Sequence, residues 1–188
     1  MFYEAFPKEL NSDLNEVLKV IPKETYNNVS IGCSENLIEY YLNQFIVKFP
    51  YRMYFVDVEF SKTDNLTDTQ KVILYCIYTR SCNGYVREKY LRELLNLDFD
   101  YWAIPFIVKL SDEYVVEILG VLYNKLKNRN NDDIKQFCID NKSIINKSYL
   151  RMIGYWNEFY RSNEPTFHKY IGRKLFRECF GYNRTFER

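Results

Sequence analysis

Histidine is nearly absent from this chain of 188 residues, with His168 the only one. That excludes a multi-histidine metal site and a relay between two imidazoles. Cysteine is sparse: Cys33, Cys76, Cys82, Cys138 and Cys179 are an odd set with no Cys-x-x-Cys spacing. Neither a disulfide framework nor a thiolate zinc site is expected from it. His168 and Cys179 lie eleven residues, about three helical turns, apart, too far to form a nucleophile and base on one helix. The six glycines are scattered, and no Gly-rich phosphate loop occurs. No apolar run approaches the roughly 18 residues of a membrane span. The opening segment, Met1 to Lys8, has neither the basic region nor the apolar stretch of a signal peptide. The expectation is a cytoplasmic protein with reduced thiols, no membrane segment, no cofactor, no metal and no catalytic constellation. The net charge of +1 argues against a nucleic-acid binder that works through whole-molecule electrostatics.

What the chain does have is aromatic residues, 18 Tyr and 14 Phe, within a composition that is 47% hydrophobic. That is ample for a packed core and rules out disordered and collagen-like classes. Helical spacing runs through most of it. Leu14, Val17, Leu18 and Ile21 form one stripe, closed by Pro22, and Thr25 to Cys33 reads as a loop. Ser34 would cap a helix over 35–49 that Pro50 stops. Residues 54–60 read as a short strand or an extended link. Thr67 or Asp68 caps the next helix, and Asn83-Gly84 punctuates it. Residues 85–97 are the clearest helix, followed by short helices at 101–110, 113–127 and 134–141 and by two closing ones at 148–161 and 166–180. The spacing predicts a single all-α domain, either a stack of helical repeats or an irregular bundle.

Three helix starts look alike: Asn83-Gly84-Tyr85-Val86-Arg87, Asp112-Glu113-Tyr114-Val115-Val116 and Lys147-Ser148-Tyr149-Leu150-Arg151. Val86, Val115 and Leu150 are 29 and then 35 residues apart, within the period of stacked helix pairs. Over residues 67–161 this resembles the HEAT-repeat family. The resemblance implies an α-solenoid in which Arg87 and Asp112 take the places of the ladder residues between neighbouring repeats. The chain departs from the family where Val116 replaces an arginine and where Tyr90 and Leu119 replace small residues. On this reading 1–66 is a less regular N-terminal part and 162–188 a basic C-terminal helix and tail. Trp102 and Trp156 lack the paired tryptophan and following aspartate of the helical-repeat DNA glycosylases, so they read as packing residues.

Charge is unevenly spread. Residues 147–188 hold nine Lys and Arg against four Glu, a net +5, which leaves −4 for the rest. Lys169, Arg173 and Arg177 recur at every fourth position, which would align them along one side of the last helix. Arg161, Lys174 and Arg184 lie near them in sequence. Tyr182 belongs to a tail with no evident core to enter. These seven residues form the candidate partner-binding set. A protein partner is expected at this face; a nucleic acid bound by the same basic and aromatic residues is the alternative.

Overall fold

Leu14 and Val17 face one way along α1 (Asn11–Val20) and are fully buried, with Ile21 closing the stripe just beyond the helix. The computed structural model describes residues 2–22, 25–26, 29–30, 32–183 and 186. Two short strands, β1 (Thr25–Tyr26) and β2 (Val29–Ser30), pair antiparallel where a loop is expected. The expected helix over 35–49 is a β-hairpin instead, β3 (Leu37–Leu42) pairing antiparallel with β4 (Phe45–Pro50). Leu42 opposes Phe45 across Asn43-Gln44, and Asn43 takes the left-handed conformation (φ 54°) that asparagine tolerates well. Ser34 caps no helix. Its N–H donates to the Arg52 carbonyl at 2.8 Å, and its Oγ accepts from Arg52 N–H at 2.9 Å, so it lengthens the hairpin. Tyr40, Leu42, Val47 and Phe49 share the buried face.

Residues 54–59 carry no regular secondary structure, and a 3-10 turn (Phe60–Thr63) begins at the end of that stretch. α2 (Asp68–Tyr78) begins with a capping box. Thr67 Oγ accepts from Gln70 N–H, and the Gln70 amide oxygen accepts from Thr67 N–H. Asn83 does not end a helix. With β-region dihedrals, its side chain accepts from Tyr85 N–H and starts α3 (Gly84–Leu94). Tyr78 and Tyr90, stacked 4.5 Å apart, seal α2 on α3, and the Tyr90 hydroxyl donates to Asp57 at 2.6 Å. Arg87 is buried, and its Nη1 donates to the carbonyls of Ser81 (2.9 Å) and Cys82 (3.0 Å).

The chain divides into two compact units, Met1–Ala103 and Ile104–Arg188. The second starts with α4 (Ile104–Lys109), whose second residue is Pro105, where a missing N–H leaves no helical bond unmade. α5 (Val116–Leu126) buries Ile118, Leu119 and Leu122, and α6 (Asp132–Asp140) buries Ile134, Phe137 and Cys138. α7 (Lys142–Tyr155) buries Ile145, Ser148, Tyr149 and Met152. Its range puts Lys147-Ser148 in mid-helix rather than at a start. The closing stretch 166–180 is likewise not one helix. It is a 3-10 turn (Phe167–Lys169), α8 (Ile171–Lys174) and a π-helical turn (Leu175–Cys179). The molecule is mostly helical, as expected, with two small two-stranded sheets in its first unit. Among the described residues no helix is long and apolar enough to cross a membrane.

Candidate partner-docking face

The C-terminal unit changes helical pitch twice. α7 runs into a π-helical turn at Trp156–Tyr160, closed by a 2.8 Å bond from Arg161 N–H to the Trp156 carbonyl. The wider turn shifts side chains out of α-helical register, a distortion common at functional sites. Here it leaves Phe159 more than half exposed, while Tyr160 reaches back to residues before α5. The indole N–H of Trp156 donates to the Glu164 carbonyl at 3.0 Å and folds 161–166 back toward α7. Gly172 lets α8 lie against α7, because a Cβ there would sit 2.8 Å from the Tyr170 ring and 2.9 Å from the Met152 side chain.

The predicted cations fall into two groups. Tyr170 is extended (ψ 132°) and separates Lys169 from the helix that follows, so the every-fourth-residue stripe is broken after its first member. Lys169 belongs to the preceding turn and is exposed. Arg173, Lys174 and Arg177 remain together on the last helical segment, with the Arg173 guanidinium 5.8 Å from the Phe167 ring centre. Arg161 is exposed, donates to Asn157 Oδ1 at 3.0 Å and lies 5.8 Å from the Trp156 ring centre. Lys169, Arg173, Lys174 and Arg177 form no ion pair among the described residues. By contrast, Lys89, Lys109 and Arg151 each hold a carboxylate at 2.7 Å or less. Arg184 lies outside the described residues.

Tyr182 is not an exposed anchor. Only 2% of its surface is accessible, it stacks 4.1 Å from Tyr149, and its hydroxyl donates to Asn146 Oδ1 at 2.5 Å. Phe186, also buried, lies 5.0 Å from it. The core that takes these rings is the aromatic face of α7 and of the π-turn, with Phe176 edge-on to both Tyr149 and Tyr182. Gly181, at φ 67°, turns the chain back toward that face, a conformation that strains any side chain-bearing residue.

Beside Lys169 the unit carries a cleft of about 530 Å³, lined among others by Val116, Tyr160, Glu164, Thr166, Lys169 and Tyr170. The Tyr160 and Tyr170 rings stack 5.9 Å apart. The Tyr160 hydroxyl donates to the Tyr114 carbonyl (2.5 Å) and accepts from Val116 N–H (3.3 Å), so it is fully used. The Tyr170 hydroxyl, on a side chain only 1% exposed, has no hydrogen-bond partner among the described residues. Burial, reinforced by Tyr160 and Glu164, pushes its phenol far above the ordinary tyrosine range, so it stays protonated as a donor. Helical spacing puts Tyr170 on the inward face of the last helix and Tyr160 against that face, and it gives Glu164 no role. The signal that could have found it is the helix-breaking run Asn163-Glu164-Pro165.

His168 is exposed on the turn before Tyr170. Among the described residues no group of three or more His, Cys, Asp or Glu side chains is placed to hold a metal ion. Compared with protein families, with curated proteins and with solved structures, the chain matches none.

Proposed function

We propose that this chain is a non-enzymatic interaction module built on stacked, HEAT-like helices, and that its basic C-terminal face docks on a protein partner. The observation that carries the reading is the group of cations Lys169, Arg173, Lys174 and Arg177 without ion-pair partners among the described residues. Elsewhere, basic side chains such as Lys89 and Arg151 are matched by carboxylates. Unmatched cations, here the exposed Lys169 and Arg177 and the half-buried Arg173 and Lys174, are complementary to an acidic surface and steer its approach. A protein is favoured over a nucleic acid because the whole chain carries a net charge of only +1, and the tail rings of Tyr182 and Phe186 are buried.

The test is a triple Lys169, Arg173, Arg177→Glu variant in affinity capture from the native host, with and without nuclease. The expected result is a folded variant that loses a nuclease-resistant protein recovered by the unmodified chain. Equal recovery by both forms would overturn the proposal. A steep loss of binding with rising salt, together with nuclease sensitivity, would point to phosphates instead.

A further inference from the structure

We infer that the outer face of the β3–β4 hairpin is a self-association surface, on which a second copy of this chain docks face to face about a two-fold axis parallel to the strands. The surface belongs to the first unit and is independent of the basic docking face in the second.

The hairpin is two strands wide, and successive side chains alternate between its faces. Tyr40, Leu42, Val47 and Phe49 fill the core, so Leu37, Glu39, Tyr41, Ile46 and Lys48 stand on the opposite face. Leu37, Tyr41 and Ile46 are each about half exposed. Large apolar side chains grouped on one exposed face mark an interaction surface, whereas scattered ones do not. The register sets Tyr41 across from Ile46 and Glu39 across from Lys48, and the two charges pair at 2.8 Å. Ile46 also borders a cleft of about 550 Å³, whose lining includes Tyr3, Glu4, Lys8, Glu9, Phe45 and Lys48.

Charge decides the occupant. The cleft sets Glu4 and Glu9 against Lys8 and Lys48, and the hairpin face adds only Glu39. A surface with its signs nearly balanced attracts neither a polyanion nor a polycation. It matches a surface that carries the same signs in exchanged places, and a two-fold axis along the strands makes that exchange. β3 of one copy then lies over β4 of the other. Glu39 faces the second copy's Lys48, and Tyr41 faces the second copy's Ile46 at the mouth of the cleft. A two-fold axis across the strands would instead set Glu39 on Glu39 and Lys48 on Lys48, a like-charge contact that costs binding. The same ion pair therefore admits one packing and excludes the other. Each contact occurs twice, as an isologous dimer requires, and aligned face-to-face packing suits twisted sheets. Leu37 lies at the rim, because its cross-strand neighbour Pro50 is already buried within its own unit.

The experiment is sedimentation velocity on the full chain from low to high micromolar concentration. The unmodified chain should pass from monomer to dimer and form nothing larger, because a two-fold contact closes on itself. Ile46→Lys changes an exposed position, should leave the far-UV circular dichroism as it was, and should weaken the dimer about tenfold or more. Glu39→Lys should do the same by setting lysine on lysine. Adding Lys48→Glu to it reverses the pair in both copies and should restore the dimer. Leu150→Lys, at an exposed apolar position of the second unit, should leave the dimer intact. The proposal is overturned if the unmodified chain stays monomeric, which would leave this face to a different partner or to none. It is also overturned if Ile46→Lys dimerises like the original, or if the Glu39→Lys, Lys48→Glu chain dimerises no better than Glu39→Lys alone. Open-ended oligomers, or a dimer broken by Leu150→Lys and not by Ile46→Lys, would place the contact on another surface and overturn it as well.

Discussion

Arg87 in the N-terminal unit and Asp112 in the C-terminal unit are both buried charges: Arg87 bonds to two backbone carbonyls, whereas Asp112 lies between two cations and a hydroxyl. Arg87 donates to the backbone carbonyls of Ser81 and Cys82, just beyond the C-terminal end of α2. Unpaired carbonyls and the negative end of the helix dipole gather there. Asp112 accepts from Lys109 Nζ at 2.5 and 2.7 Å, from Arg151 Nη1 at 2.6 Å and from Ser148 Oγ at 3.2 Å. Backbone dipoles thus contribute to holding Arg87, and opposite charges hold Asp112. Removing the anion from between two cations leaves charges behind, one of them on the buried Lys109.

That asymmetry sets the largest expected effect. Asp112→Ala should destabilise the protein by about 3–5 kcal/mol, the range for a buried pair broken from one side. Arg87→Met keeps most of the side chain's bulk and strands the carbonyls of Ser81 and Cys82, and should cost about 1–3 kcal/mol. Urea unfolding of the two variants reads the difference directly. Equal losses would mean that the chemistry of compensation does not distinguish the units.

A second pair of variants sharpens the comparison by removing charge from it. Leu91 on α3 and Leu122 on α5 are each completely buried. Truncation of either to Ala should cost about 2–5 kcal/mol, and the two values should lie close together. If Leu122→Ala costs far more than Leu91→Ala, any excess at Asp112 reflects a C-terminal unit that is sensitive to every perturbation, and the electrostatic account is withdrawn.

Legibility from sequence also differs between the units, for physical reasons. In the N-terminal unit the stripe of α1 and the cap at Thr67 are local features, and both stand where the spacing put them. Leu37, Ile38, Tyr41, Leu42, Phe45 and Ile46 satisfy a period of 3.6, which reads as a helix where the hairpin stands. The pairing instead follows a period of two, with Tyr40, Leu42, Val47 and Phe49 inward and Tyr41 and Ile46 about half exposed. The aromatic and β-branched content, and Asn43-Gln44 at the centre, were the signals for a strand pair. In the C-terminal unit Gly181 stands where a helix-ending glycine belongs, and Tyr170, Leu175, Cys179 and Phe180 are buried together. The pitch changes at 156–160 and 175–179 were not legible, since a π-turn depends on tertiary contacts such as the bond from Trp156 to the Glu164 carbonyl. The cations of the candidate site were visible as composition, but the cleft was not. It is lined by Tyr160 and Tyr170, ten residues apart, whose rings stack.

The smallest expected effect separates two tyrosines that the sequence treats alike, each adjoining a glycine at a helix boundary. Tyr85, at the start of α3, is 86% exposed, whereas Tyr182, beyond the last π-turn, is 2% exposed with its hydroxyl on Asn146. Phenylalanine at 182 keeps the ring on Tyr149 and Phe176 and deletes only the hydrogen bond, leaving the Asn146 oxygen without that donor. The expected cost is about 1 kcal/mol, the usual net value of one such bond. Tyr85→Phe, whose hydroxyl stands in solvent, should be neutral within a few tenths of a kcal/mol, as surface changes generally are. Matched urea midpoints for these two variants would show that Tyr182 draws nothing from Asn146. The anchoring of the C-terminal tail on α7 would then rest on the stacking of the Tyr182 ring against Tyr149 and Phe176 alone.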